Sequence, residues 1–231
     1  MNGVFTTELL SHLIIFLVNL FLAVSVHEAA HAWMSYRWGD DTAYMLGRVT
    51  LNPVSHTDII GTIVIPIAAF IFGAIGGALG AIPLIGWGKP TPVNPRKWTD
   101  YKKGNFWVSI AGILANLILV VIGIVLAKIL MTQGFTPVEF FDGKTANPLV
   151  IFVTNLMILN LSLAVFNLIP IPPLDGGKIL SNFVPDSFKP VLDMIEQFGF
   201  MILLLFVYMG LFSLIFRPFY IGLFEILNAI G

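Results

Sequence analysis

The chain has 231 residues, of which 57% are hydrophobic and 11% charged, with a formal net charge of −1. A soluble globular domain carries about 25% charged residues, so water is not the main solvent of this chain, and its charge gives no basis for binding nucleic acid. With no cysteine present, disulfides and thiolate metal sites are excluded, and any metal must be held by histidine and carboxylate.

The apolar residues fall in long runs. Runs of about 20 are what a bilayer-spanning helix requires, and backbone in lipid must be paired internally, which makes helices the expected structure. The first run extends from about Leu9 to Met34 and ends in the polar stretch 35–41. It lacks a basic leader and a small-residue cleavage site, so it is expected to be a retained helix. The second run, Ile59 to Ile85, is rich in glycine (Gly73, Gly76, Gly77, Gly80), and a proline-bearing polar loop, Gly86 to Gly104, follows. A third run covers about Asn105 to Leu130 and a fourth Pro148 to Ile169, joined by the connector 132–147. The fourth leads into Pro170-Ile171-Pro172-Pro173-Leu174-Asp175-Gly176-Gly177, after which a short helix is expected to stop near Pro185. The last long run is Val191 to Phe216, with a shorter tail from Phe219 to Ile230. No repeat or appended soluble domain is evident, and residues 1–231 read as a single membrane-embedded domain.

Basic loop residues favour the cytoplasm. Lys89, Arg96, Lys97, Lys102 and Lys103 share one loop with a single acid, Asp100, while Arg37 and Arg48 follow the first run. Both ends of the second run are therefore expected on one side. That predicts a re-entrant hairpin bending near Gly73 to Gly80; a single tilted span that breaks the charge bias is the alternative.

The strongest chemical signal is His27-Glu28-Ala29-Ala30-His31, an HExxH motif. On a helix, positions i and i+4 share a face, so two imidazoles can hold one metal ion while Glu28, offset around the helix, serves as general base. Chance polar residues at a helix end are the bland reading. Ionisable groups in apolar spans are costly and usually mark function, which favours the metal. A catalytic zinc takes three protein ligands, and Asp175 is the candidate third. As an N-cap it would leave the metal one ligand short. His56 reads equally as a loop histidine or as a donor or ligand near the site. Asn116 reads as a helix-packing amide or as a group polarising the scissile carbonyl. Asn160 is similarly open, and Asn167, nearer the proline turn, is a candidate for positioning substrate backbone. Other divalent ions accept such ligands as readily as zinc.

The HExxH motif in a first membrane helix, together with the later Asn167-Leu168-Ile169-Pro170-Ile171-Pro172-Pro173-Leu174-Asp175-Gly176-Gly177, resembles the site-2 protease family (peptidase family M50) of intramembrane metalloproteases. Residues 51–58 and 86–95 resemble a compact prokaryotic branch of that family, without its PDZ or CBS modules. The segment Ala111-Gly112-Ile113-Leu114-Ala115-Asn116 resembles a third family motif, which usually has proline where Ile113 stands. The resemblance implies an all-α polytopic bundle binding one Zn2+ per chain through His27, His31 and Asp175. It implies cleavage of transmembrane protein substrates in a multi-pass prokaryotic plasma-membrane protein, with the active site near the cytoplasm. A metal transporter using the same ligands and a non-catalytic membrane adaptor are the rival classes. A transporter would need polar residues along several spans, and an adaptor would most simply have lost Glu28 or a ligand. Oligomeric state and substrate are not legible.

Overall fold

The computed structural model describes residues 7–74, 87–143 and 145–231. Helix α1, Thr7–Arg37, contains neither glycine nor proline and ends at Gly39, whose positive φ of 102° closes the last turn. A single turn, α2 (Thr42–Met45), follows. The second apolar run opens with a wide, π-wound stretch, Ile59–Val64, started by Asp58, whose side chain accepts from Gly61 N–H. It continues as α3, Ile65–Ala74. Helix α4, Tyr101–Met131, is capped by Asp100, and α5, Pro148–Leu168, by Asn147, with proline at its first position. Each cap side chain satisfies backbone N–H groups that a helix start leaves unpaired. Short α6, Asp175–Ser181, then α7, Lys189–Tyr208, and α8, Leu211–Ile230, complete the chain.

The described residues contain no strand. Among the described residues five helices (α1, α4, α5, α7 and α8) are long and apolar enough to cross a membrane. Helices α1, α4 and α5 pack on one another, and α4, α5 and α8 share a core that includes Val120, Ala127, Val150, Met157, Phe212 and Leu227. The outer surface is also apolar: Ile118, Val121, Val125 and Ile129 on α4 are at least half exposed. The inside, by contrast, holds amides and hydroxyls, among them Asn19, Ser25, Asn116, Asn160 and Ser162. This distribution fits lipid outside and demands that every interior polar group find a partner.

Two sequence expectations change. The run Val191 to Phe216 is not one span: it breaks at Gly210, whose φ of 69° is the left-handed conformation that stops a helix. Helix α8 then absorbs the expected tail and runs antiparallel to α5. Phe212 meets Phe166, Tyr220 bonds Ser162 and Phe224 meets Phe141. At the far end Lys128 donates to the carbonyl of Ile230.

The described residues at the two ends of the second apolar run meet. Trp87 N–H donates to Gly61 O at 3.1 Å, and Thr62 Oγ1 donates to Trp87 O at 2.7 Å. The chain therefore returns to the point where it entered. The bend expected near Gly73 to Gly80 runs beyond the described residues, which stop at 74 and resume at 87.

Candidate metal centre

The HExxH residues sit in the last third of α1, where it faces α4 and the start of α6. His27 and His31 are buried, with their rings edge to face at 4.6 Å between centroids. Each Nδ1 meets an atom that can only accept. His27 Nδ1 lies 2.6 Å from Asn116 Oδ1, and His31 Nδ1 lies 2.6 Å from Val108 O. The Asn116 orientation is set by its amide nitrogen, which donates to Asn160 Oδ1 at 2.8 Å and Ala23 O at 3.2 Å. Both imidazoles therefore carry a proton on Nδ1, which leaves Nε2 as the atom that would ligate a metal.

These atoms converge. The two Nε2 atoms are 3.0 Å apart, and Asp175 Oδ2 lies 3.3 Å from the first and 3.0 Å from the second. Asp175 Oδ2 is buried and has no hydrogen-bond partner. With no proton between them, three such electron-rich atoms repel one another, and a cation at their centre turns that repulsion into ligation. Bonds of about 2.0–2.1 Å in a tetrahedral zinc site imply ligand–ligand edges of about 3.3 Å, close to the spacing found. Among the described residues this is the one cluster of His, Asp and Glu with metal-ligand spacing. Lys178 Nζ, 3.0 Å from Oδ1, is a positive partner that favours the ionised form of this buried ligand.

The close approach of α4 depends on Gly112. A Cβ there would lie 2.5 Å from His31 Nε2 and 2.6 Å from His27 Cε1. Helix α6 depends on its glycines in the same way: a Cβ on Gly176 would meet Leu168 O and Ile169 O at 2.4 Å, and one on Gly177 would meet Pro172 N at 2.3 Å. Only with glycine can α6 fold back on the proline turn and bring Asp175 to the histidines. Asp175 is the first residue of α6, one past its N-cap Leu174, and its oxygens face Lys178 and the two histidines, so the N-cap reading gives way to the cluster.

Glu28 lies on the adjoining face, at a cavity of about 490 Å³ also lined by His27, His31, Asn167 and Asp175. Glu28 Oε2 accepts from Thr91 N–H at 2.8 Å, and Thr91 Oγ1 donates to Glu28 O at 3.0 Å. The segment carrying Thr91 is a strap anchored along its length. Lys89 N–H donates to His56 O at 2.8 Å, and Asn94 N–H donates to Asp40 Oδ2 at 2.7 Å. Asp40 is fully buried and also accepts from Ser35 Oγ and from both the N–H and hydroxyl of Thr42. Burial pushes its carboxyl up, but these donors prevail and hold it below its ordinary value.

Of the remaining candidates, Asn167 lines the cavity, with its amide nitrogen donating to Leu163 O at 3.0 Å. The other two do not face it. His56 is fully buried and turns Nε2 to Thr50 O at 2.9 Å, because that carbonyl is the polar partner its enclosure offers. It shapes the strap's anchor and is not part of the ligand cluster. Asn116 is also fully buried, with both ends of its amide engaged. It is neither a plain packing residue nor placed to polarise a carbonyl; it orients His27. Sequence reasoning missed Thr91, Asp40 and Val108 O. The first lies in the quoted loop between two prolines, where it supplies the lone N–H of residues 90–92; the third acts through its backbone and leaves no mark in a sequence.

The profile described as Peptidase family M50 matches residues 15–210. The Bacillus subtilis (strain 168) protein named "Putative zinc metalloprotease YwhC" is 37% identical over 191 residues, which cover 82% of this chain and 78% of that protein. "Putative zinc metalloprotease Rip2" of Mycolicibacterium smegmatis is 27% identical over 189 residues, covering 82% of this chain and 64% of the relative. The Rip2 protein of Mycobacterium tuberculosis H37Rv is 26% identical over 185 residues, covering 79% and 62%. The chain thus spans just under two thirds of the Rip2 proteins. No solved structure matches it. With the profile covering most of the chain and with YwhC alike over most of both lengths, the protein belongs to peptidase family M50.

Proposed function

We propose that this protein is an intramembrane zinc metalloendopeptidase that cleaves peptide bonds within or near transmembrane segments of other membrane proteins. The observation that carries the reading is the convergence of His27 Nε2, His31 Nε2 and the unpartnered Asp175 Oδ2 beside Glu28. His27, His31 and Asp175 are the residues that would hold the ion. Zinc, when bound, supplies a Lewis acid that lowers the pKa of its water to about 7 and polarises a carbonyl.

The remaining chemistry belongs to the chain. Glu28 takes the water's proton and returns it to the leaving amine, a role worth about 10²–10⁴ in rate. Thr91 N–H engages one carboxylate oxygen and leaves the other for that task. Asn116 and Val108 O keep both histidine lone pairs available. A peptide bond inside a helix is shielded, so the substrate must be held extended. Trp87, Lys89 and Thr91 turn alternate N–H groups towards the protein, as one edge of an extended segment does. The opposite edge, at 88, 90 and 92, is the one a substrate strand would pair with. Because Pro90 and Pro92 lack an N–H, that edge offers mainly carbonyls and suits the N–H groups of an unwound helix.

The basic residues of the strap loop favour a cytoplasmic position for this end of the bundle in a cell membrane. Transport of the metal itself is the weaker reading, since the described residues hold one ligand cluster and not a series. The test is cleavage of a single-span substrate in detergent by wild type and Glu28→Gln, with zinc quantified in both. The glutamine can still accept from Thr91 N–H, so the fold is preserved. Loss of cleavage with zinc retained establishes the hydrolytic reading. Equal cleavage by both removes Glu28 from the chemistry and overturns it.

A further inference from the structure

The two oxygens of Asp175 have different surroundings. Oδ2 faces both Nε2 atoms and has no donor, whereas Oδ1 accepts from Lys178 Nζ at 3.0 Å. The Lys178 side chain is 54% exposed and that of Asp175 is 6% exposed. An exposed pair three residues apart on a helix contributes little. Here one partner is the buried carboxylate of the metal centre, and a charge-assisted bond to a single oxygen fixes which lone pairs remain. The lysine is itself held in place. Its backbone carbonyl accepts from Asn105 Nδ2 of α4 at 2.9 Å, and the same amide nitrogen reaches Ser181 Oγ and Asn182 Oδ1. Helix α6 is thereby clamped to α4 at the residue whose ammonium holds the ligand.

We propose that Lys178 is a positioning residue of the metal centre: by occupying Asp175 Oδ1 it presents Oδ2 alone to the ion and fixes the carboxylate plane. This rests on the metal-site reading above. It also makes a prediction of unusual sign. A lysine that is merely nearby repels a divalent cation, so its removal should tighten binding. A lysine that orients the ligand should, on removal, weaken binding, since loss of such outer partners costs about 10–100-fold in metal affinity.

The experiment measures zinc affinity by chelator competition on the detergent-solubilised full chain. It compares wild type, Lys178→Met, Lys178→Gln, Lys178→Arg and Asp175→Asn. The two neutral variants are expected to bind zinc about 10–100-fold more weakly, with Lys178→Arg close to wild type. Unchanged or tighter binding by a folded neutral variant, alongside weakened Asp175→Asn, overturns the role of Lys178 and leaves the metal centre standing. Wild-type affinity in Asp175→Asn overturns the metal-site reading and this proposal with it.

Discussion

Replacing Gly112 by alanine tests the metal centre through a single methyl group. The added Cβ would lie 2.5 Å from His31 Nε2, 2.6 Å from His27 Cε1 and 2.7 Å from His27 Nδ1. Reaching ordinary contact at 3.4 Å requires a shift of about 0.9 Å. Neither ring can yield it freely, because Asn116 Oδ1 and Val108 O hold them from behind at 2.6 Å each. A misplacement of about 1 Å in a catalytic constellation costs about 10²-fold in rate, and overpacking costs about 1–3 kcal/mol. Gly123→Ala on the same helix is the control. Its Cβ would meet Met157 Cγ at 2.4 Å, an equally tight contact with a flexible side chain remote from the ligands. Both variants should lose comparable thermal stability in detergent. Only Gly112→Ala should also lose zinc on dialysis and about 10²-fold in cleavage. Wild-type zinc content and rate in Gly112→Ala would refute the argument that α4 is held against the ligand rings.

Asn116→Leu strands His27 Nδ1 and Asn160 Oδ1 in an apolar interior; unsatisfied buried polar groups cost about 1–3 kcal/mol each. The variant is expected to lower the unfolding midpoint and to weaken zinc binding about 10–100-fold, both readable in one titration followed by a melt. Asp40→Asn keeps one acceptor but sets an amide N–H₂ against the donors that Oδ2 now receives. Because the folded carboxyl lies below its ordinary value, wild-type stability from this group is complete above the unfolded pKa of about 3.9 and is lost as the pH falls through the folded value. The gap in midpoint between wild type and Asp40→Asn should narrow as the pH is lowered from 6 to 3. Chelation should lower the midpoint as well: an ion at 1,000 times its Kd contributes about 4.1 kcal/mol. That difference should vanish in His31→Ala.

Much of this arrangement is legible in the sequence, and the parts that are not share a physical cause. The apolar runs give α1, α4 and α5 to within four residues at each end because a bilayer dictates their length. The break at Gly210 escapes notice because the chain is apolar on both sides of it, and hydropathy does not register a backbone conformation. His27, Glu28, His31 and Asp175 are found because ionisable side chains in lipid need a reason to be there. The supporting partners are harder. Val108 and Thr91 act through a carbonyl and an N–H that every residue possesses, so nothing in their identity marks them. Asn116 and His56 are visible as polar residues, but which face of the protein each turns to depends on contacts 89 and 6 residues away.

The charges of the centre explain why these partners are needed. With both histidines neutral, Asp175 and Glu28 set two carboxylates at one end of an apolar bundle, Asp175 already facing Lys178 Nζ at 3.0 Å. Charge alone would allow a divalent cation to sit between the two carboxylates, with Glu28 as a ligand and no base left. Two donors prevent this. Thr91 N–H draws Glu28 Oε2 towards the strap, and Lys178 fixes the far oxygen of Asp175. The carboxylates are thereby assigned different tasks by what holds them from behind. The strap that holds Glu28 is itself fixed by Asp40 at one end and by His56 O and Gly61 O at the other. The separation of ligand from base thus depends on loop residues outside the spans, so substitutions in the strap should alter catalysis while zinc content stays constant.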